Sequence, residues 1–282
     1  MARTKIVTDS ACDLSPEMAA RYDISVVPLT IRFGSDEYTD RVDLTPAKFW
    51  ELCAASPTLP ETAAPSPGAF TAAFTEAADA GYDGIVCICL SAALSATYQS
   101  ALAGASALAD RLPIEVVDSE AVTMAQGLLA VKAAELAAGG ADAASIAAAV
   151  RETIPRCHVM GVLDTLDHLV KGGRVGGAKA LMGSLLSIKP ILQLKDGVVA
   201  EESKQRTRAR ALRYLADRVV ADAPFEYVAV VSGAAPDCDD LVKAITATDL
   251  GAEVEVADLG PVVGTHGGPR LLGVAYITTA SA

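Results

Sequence analysis

The chain has 282 residues and a formal net charge of −12; hydrophobic residues make up 51% of it and aromatics only 5%. That length exceeds one usual hydrophobic core and predicts two domains with a crevice between them, each packed from Ala, Val, Leu and Ile. The acidic balance would repel a phosphate backbone, which excludes nucleic acid as an expected partner.

Lys5 to Ser10 reads as a short buried strand ending in small polar residues, and Ser15 can cap a helix ahead of Pro16 and Glu17. Ile24 to Phe33 is rich in β-branched residues and predicts a second strand. Leu44 to Ala55 predicts a helix with Thr45 as N-cap and Pro46 at its first position. Four prolines between Ser56 and Pro67 mark a long loop. Gly68 to Ala80 is helical, and Gly84 to Leu90 is an all-apolar strand of the kind that a parallel sheet covers on both faces. Ser91 then caps a helix expected over Leu94 to Ala109. Ile114 to Ser119 repeats the strand, and Gly127 to Val150 holds Ala-rich helices broken at Gly139 and Gly140. Repeated strand-loop-helix units predict a Rossmann-like, parallel-sheet α/β domain over residues 1–155.

From about Arg156 the texture changes. Strands are expected at Val159 to Val162, Ile188 to Gln193, Gly197 to Ala200, Tyr227 to Ser232, Glu253 to Ala257 and Val274 to Thr278. Helices intervene at Leu166 to Lys171, Ala178 to Leu186, Arg206 to Ala221 and Asp237 to Thr246. Residues 156–282 are therefore predicted to form a second α/β domain with a mixed sheet. No apolar run is long enough to span a bilayer, and Met1 to Lys5 lead into a strand rather than a signal-peptide core, so the expected location is cytoplasmic. The six cysteines, Cys12, Cys53, Cys87, Cys89, Cys157 and Cys238, lack zinc-type spacing and are read as reduced thiols.

Open α/β sheets bind ligands beyond the carboxyl ends of their strands. The loops there share one chemistry: Thr8-Asp9-Ser10, Thr62, Ser91 to Thr97 and Asp118-Ser119 are small and hydroxyl-bearing, suited to a carboxylate or phosphate. Taken singly, each is more simply read as a helix cap, and only together do they point to a ligand. In Leu166 to Gly176, Gly172 or Gly173 can end a helix in the left-handed conformation, so that Arg174 projects from a fixed turn. A guanidinium there can grip a carboxylate or join a surface ion pair. His266, framed by Gly264, Gly267 and Gly268, has a site-like setting; His168 on a helix and His158 before a strand do not. There is no nucleophile elbow, no HExxH and no Walker sequence, so hydrolase, metalloenzyme and P-loop kinase readings lack their parts. No metal site is expected.

Thr8 to Leu14, Val26 to Leu29, Ser91 to Ser100, Lys171 to Arg174, Ile188 to Leu192 and Val263 to Pro269, in this order and spacing, resemble the DegV family over the whole chain. The resemblance implies a fatty acid held between the two domains, its carboxyl at the interface and its tail in a tunnel. Similar proteins serve as the carrier subunit of bacterial fatty-acid kinase, without catalytic activity of their own. The implied partners are thus a long-chain fatty acid, a separate kinase subunit that supplies the ATP site, and transient contact with a membrane; no cofactor is implied. Carried over, Thr62, Ser95, Arg174 and His266 look like the carboxyl-binding residues, with Thr97 and Ser10 in support. Three departures stand out: Ala63 and Ala64 follow Thr62 where Ser and Gln are usual, Ala96 replaces a Gly, and Arg270 replaces the Gly after Pro269. Arg270 would add a positive charge near His266. The competing reading is an enzyme acting on an acyl or phosphorylated small molecule.

Overall fold

The computed structural model describes residues 2–181 and 188–280. In chain order, β1 (Thr4–Asp9), α1 (Pro16–Arg21), β2 (Ile24–Val27), β3 (Thr30–Phe33), β4 (Asp36–Thr39), α2 (Pro46–Ala55), β5 (Glu61–Ala63) and α3 (Pro67–Asp79) open the chain. They are followed by β6 (Gly84–Cys89), α4 (Thr97–Ser106), β7 (Ile114–Asp118), α5 (Thr123–Ala138) and α6 (Ala143–Thr153). The second half holds β8 (Cys157–Val162), α7 (Asp167–Lys171), β9 (Lys189–Lys195), β10 (Val198–Gln205), α8 (Arg208–Ala221), β11 (Phe225–Ser232), α9 (Cys238–Thr246), β12 (Val254–Asp258), α10 (Pro261–Gly267) and β13 (Leu272–Thr278).

The expected parallel sheet forms with strand order β2-β1-β6-β7. All six residues of β6 are buried, as its unbroken apolar sequence requires of a strand covered on both faces. The mixed sheet has order β10-β9-β8-β13-β11-β12, antiparallel except between β11 and β12. The fold is therefore α/β, with one parallel and one mixed sheet.

Helix starts follow their capping chemistry. Ser15, Thr45 and Ser66 each accept a hydrogen bond from the third residue on, with proline at the next position fixing the helical φ. Ser91 does not act as a cap. Its hydroxyl donates to the Gly197 carbonyl at 2.7 Å, tying the loop after β6 to the β9–β10 turn, and α4 begins only at Thr97.

Four segments depart from expectation. Pro28 has no N–H to continue a ladder, so the run Ile24 to Phe33 splits into β2 and β3. The loop of prolines contains β5, and β4-β3-β5 form a third, antiparallel sheet with Thr62 opposite Ile31. Helix α10 also falls where no helix was expected. Of the helix expected over Ala178 to Leu186, residues 178–181 belong to a 3-10 segment, Gly176–Leu181, and 182–186 lie outside the described residues.

α5 explains how the two large sheets are joined. Eleven of its sixteen residues are buried, so it has no solvent face to speak of. Ile6, Val86 and Ile88 of the parallel sheet and Ala229, Val231, Ala275 and Ile277 of the mixed sheet share one core with its Met124, Leu128 and Leu129. Each Val, Leu, Ile or Met side chain among them contributes about 1.5–3 kcal/mol on burial. The opposite face of the mixed sheet packs against α8 and α9. Among the described residues no helix is long and apolar enough to cross a membrane.

Candidate functional site

A cavity of about 140 Å³ opens between the ends of the parallel strands and the face of the mixed sheet. Thr62, Ser95, Arg174 and His266 all line it, among walls built mostly of Leu and Val. An apolar cavity of roughly 150 Å³ stays dry and accepts an apolar guest, because water would find too few partners inside.

Thr62 stands on β5, and its Oγ1 lies 2.9 Å from Nε2 of His266 on α10. His266 is half-buried, and its Nδ1, shielded from solvent, has no hydrogen-bond partner among the described residues. Burial, reinforced by the charges of Arg174 and His168, lowers the imidazole pKa from its ordinary value to about 4, so the ring is neutral at physiological pH. A neutral ring carries one proton. A buried unsatisfied acceptor is better tolerated than an unsatisfied N–H, which assigns the proton to Nε2. His266 then donates to Thr62 Oγ1, and the threonine hydroxyl is left free to donate onward.

Ser95 sits in the turn before α4, with its Oγ 2.9 Å from Thr97 Oγ1 and accepting from the Thr97 N–H at 3.3 Å. Arg174 follows the turn that ends α7, where Gly173 has a φ of 72° that suits glycine. Its Nε donates to the Leu94 carbonyl at 3.1 Å and its Nη1 to the Gly172 carbonyl at 2.6 Å. Both acceptors are neutral, and the first spans from the second half of the chain to the loop after β6. Gly172 is required as glycine for a different reason: a methyl group there would collide with His266 Nδ1.

The supporting residues divide. Thr97 is fully buried and braces Ser95. Ser10 is buried but does not line the cavity; its hydroxyl accepts from the Leu29 N–H at 3.0 Å, fixing the chain between β2 and β3. Arg270 lies outside the cavity, 49% exposed, with its Nε 3.4 Å from Asp164. The charge it adds is therefore directed at a carboxylate of the mixed-sheet half and not at His266.

Sequence reasoning missed the floor. Gly161 of β8 and Gly273 of β13 are directly paired, and Leu192 and Val231 flank them in the same cross-strand row; all four line the cavity. Two adjacent glycines thus leave a trough between two branched side chains. Glycine inside a strand marks a close approach by another group, and that signal was present in the sequence. His168 was also passed over. Its Nδ1 lies 3.1 Å from the Thr265 carbonyl, to which it donates, and it braces α10 one residue before His266.

The DegV family profile matches residues 3–279. The chain belongs to the DegV family. A DegV domain-containing protein of Caldanaerobacter subterraneus subsp. tengcongensis is 34% identical over 284 residues, covering 98% of this chain and 99% of that protein. Among solved structures, a DegV family protein from Thermus thermophilus described by its fatty acid binding superposes with a TM-score of 0.90 at 28% identity, covering 98% of this chain and all of the other. DegV of Bacillus subtilis, described as a fatty acid binding protein, gives a TM-score of 0.88 at 30% identity over 99% of this chain and all of that one. Among the described residues no group of three or more His, Cys, Asp or Glu side chains is arranged to hold a metal ion.

Proposed function

We propose that this DegV family chain binds one long-chain fatty acid, with the carboxyl held by Thr62, Ser95, Arg174 and His266 and the tail enclosed along the apolar cavity. The observation that carries the reading is the convergence of these four side chains on one cavity whose remaining walls are mostly Leu and Val. An amphiphile is what such a site selects. Each buried methylene gains about 0.8 kcal/mol, while a buried carboxylate without partners costs several. Arg174 supplies the balancing charge, the Thr62 and Ser95 hydroxyls supply donors, and neutral His266 orients Thr62. The fatty-acid binding described for the Thermus thermophilus and Bacillus subtilis relatives supports the same assignment.

The proposed division of labour follows the halves of the chain: residues 1–155 contribute Thr62 and Ser95, and residues 156–282 contribute Arg174 and His266. The protein acts as a cytoplasmic carrier without catalysis of its own. It collects the acid by transient contact with a membrane and presents the carboxyl to a separate fatty-acid kinase for conversion to acyl phosphate. Mass analysis of lipid extracted from the purified protein tests the binding, with about one fatty acid per chain expected; empty protein, or a different lipid class, would overturn it. Incubation of the loaded protein with ATP tests the carrier role: no turnover is expected until the kinase subunit is added, and turnover by the protein alone would favour an enzyme.

A further inference from the structure

Apart from the carboxyl-binding side chains, one buried carboxylate gathers segments that are distant in sequence. Asp13 lies in the loop after β1 and is buried. Its Oδ1 accepts from Arg41 Nη2 at 3.0 Å and from the Gly260 backbone N–H at 3.0 Å, and its Oδ2 accepts from Thr123 Oγ1 at 2.6 Å. Arg41 extends the cluster to the carbonyls of Leu14 and Asp258, each at 3.3 Å. Three members hold a left-handed backbone: Asp13 at φ 56°, Arg41 at φ 60° and Thr123 at φ 52°. For a β-branched residue such as Thr123 this conformation is an outlier, and strain of that kind persists only where the surroundings over-determine it. Gly260 belongs to the same fit, since a methyl group there would collide with Asp13 Oδ1 and press on Arg41.

The Gly260 contact leads to the cavity. Gly260 is the N-cap of α10, which has no side-chain cap of its own, and α10 carries Val262, Val263 and His266 along the cavity wall. A helix of seven residues is too short to hold its own position, so its placement follows its anchors. His168 anchors the far end through the Thr265 carbonyl, and Asp13 anchors the start. We propose that Asp13, locked by Arg41 and Thr123, is a positioning residue of the carboxyl site: through the Gly260 N–H it sets α10, and thereby the contact of His266 Nε2 with Thr62. The role rests on the fatty-acid reading of the site.

A double-mutant cycle tests it, with fatty acid retained per folded protein as the readout. Gly260→Ala breaks the cluster from the α10 side and alters no residue that lines the cavity. Gly260→Ala and His266→Ala are each expected to lower retention on the order of tenfold, the equivalent of one buried hydrogen bond. The double variant should be no worse than His266→Ala alone, because the first change acts through the second residue. Losses that multiply, or wild-type retention in Gly260→Ala, would overturn the role. If Gly260→Ala does not fold, Asp13→Asn enters the same cycle and is judged by the same outcomes, since it keeps the side-chain shape and one acceptor oxygen. A wild-type protein that carries no fatty acid would overturn both this role and the reading beneath it, whereas a loaded wild type with multiplying losses would overturn the role alone.

Discussion

The two large sheets meet the cavity in opposite ways. The parallel sheet reaches it with strand ends: Leu90 to Ser95 follow β6, and Val122 and Thr123 follow β7. The mixed sheet reaches it with a face, presenting Val159, Gly161, Leu192 and Gly273. A strand end must turn, and small hydroxyl-bearing residues serve there; a sheet face offers every second side chain, and here those are apolar or absent. The strand ends thus bring the hydroxyls of Ser95 and Thr123 to the cavity, whereas the sheet face brings mainly hydrocarbon. An amphiphilic ligand would follow from topology as much as from any single residue.

The contrast can be broken first at its polar end. Arg174→Ala should lower fatty-acid retention by roughly tenfold to a hundredfold, since a buried charged hydrogen bond is worth about 1.5–3 kcal/mol, while thermal stability changes little. Full occupancy of the variant would remove Arg174 from the site. On the apolar side, Gly161→Leu should reduce retention by roughly fivefold or more, because its side chain fills the trough. A Cβ at Gly161 meets nothing closer than 3.5 Å, so the protein itself should tolerate the start of that side chain. Unchanged binding by the folded variant would mean that the ligand does not lie on the sheet.

A smaller effect concerns pH. With His266 neutral above about pH 4, Arg174 carries the positive charge of the site and retention should stay level between about pH 6 and 8. A fall in retention centred near pH 6.5 would mean that a protonated His266 holds the carboxylate. The same depressed value has a sign for folding: the contribution of His266 is present above about pH 6.5 and is lost as pH falls towards 4, because the unfolded imidazole takes up a proton that the buried one refuses. Unfolding of wild type and His266→Ala across that window isolates it. The smallest effect is expected of Arg270→Ala, which should alter retention by less than about twofold, its partner being Asp164.

Much of the fold was legible because its local signals agree with its global packing. Ser15-Pro16 and Thr45-Pro46 begin helices, and the apolar run of β6 lies in a parallel sheet. The third sheet was not legible, since β5 has only three residues among four prolines and pairs with β3 about thirty residues away. α10 was hidden by its glycines, which lower helix propensity and are needed for close approach: methyl groups at Gly264 and Gly267 would collide with Phe49 and Leu271. The four side chains carried over by family resemblance do converge on one cavity. The contact between Thr62 and His266 could not have been read from spacing, because 204 residues separate them. The Asp13 cluster was equally silent, its members being individually ordinary in sequence and notable only once backbone angles and burial are known.

The most direct measurement of the central claim is a crystal structure of the protein purified with hexadecanoate. The account predicts carboxyl oxygens within about 3 Å of Thr62 Oγ1, Ser95 Oγ or the Arg174 guanidinium, and a tail that crosses the paired glycines Gly161 and Gly273 without contact with bulk water. A carboxyl in open solvent, or a ligand bound elsewhere while Leu and Val side chains close this cavity, would contradict it.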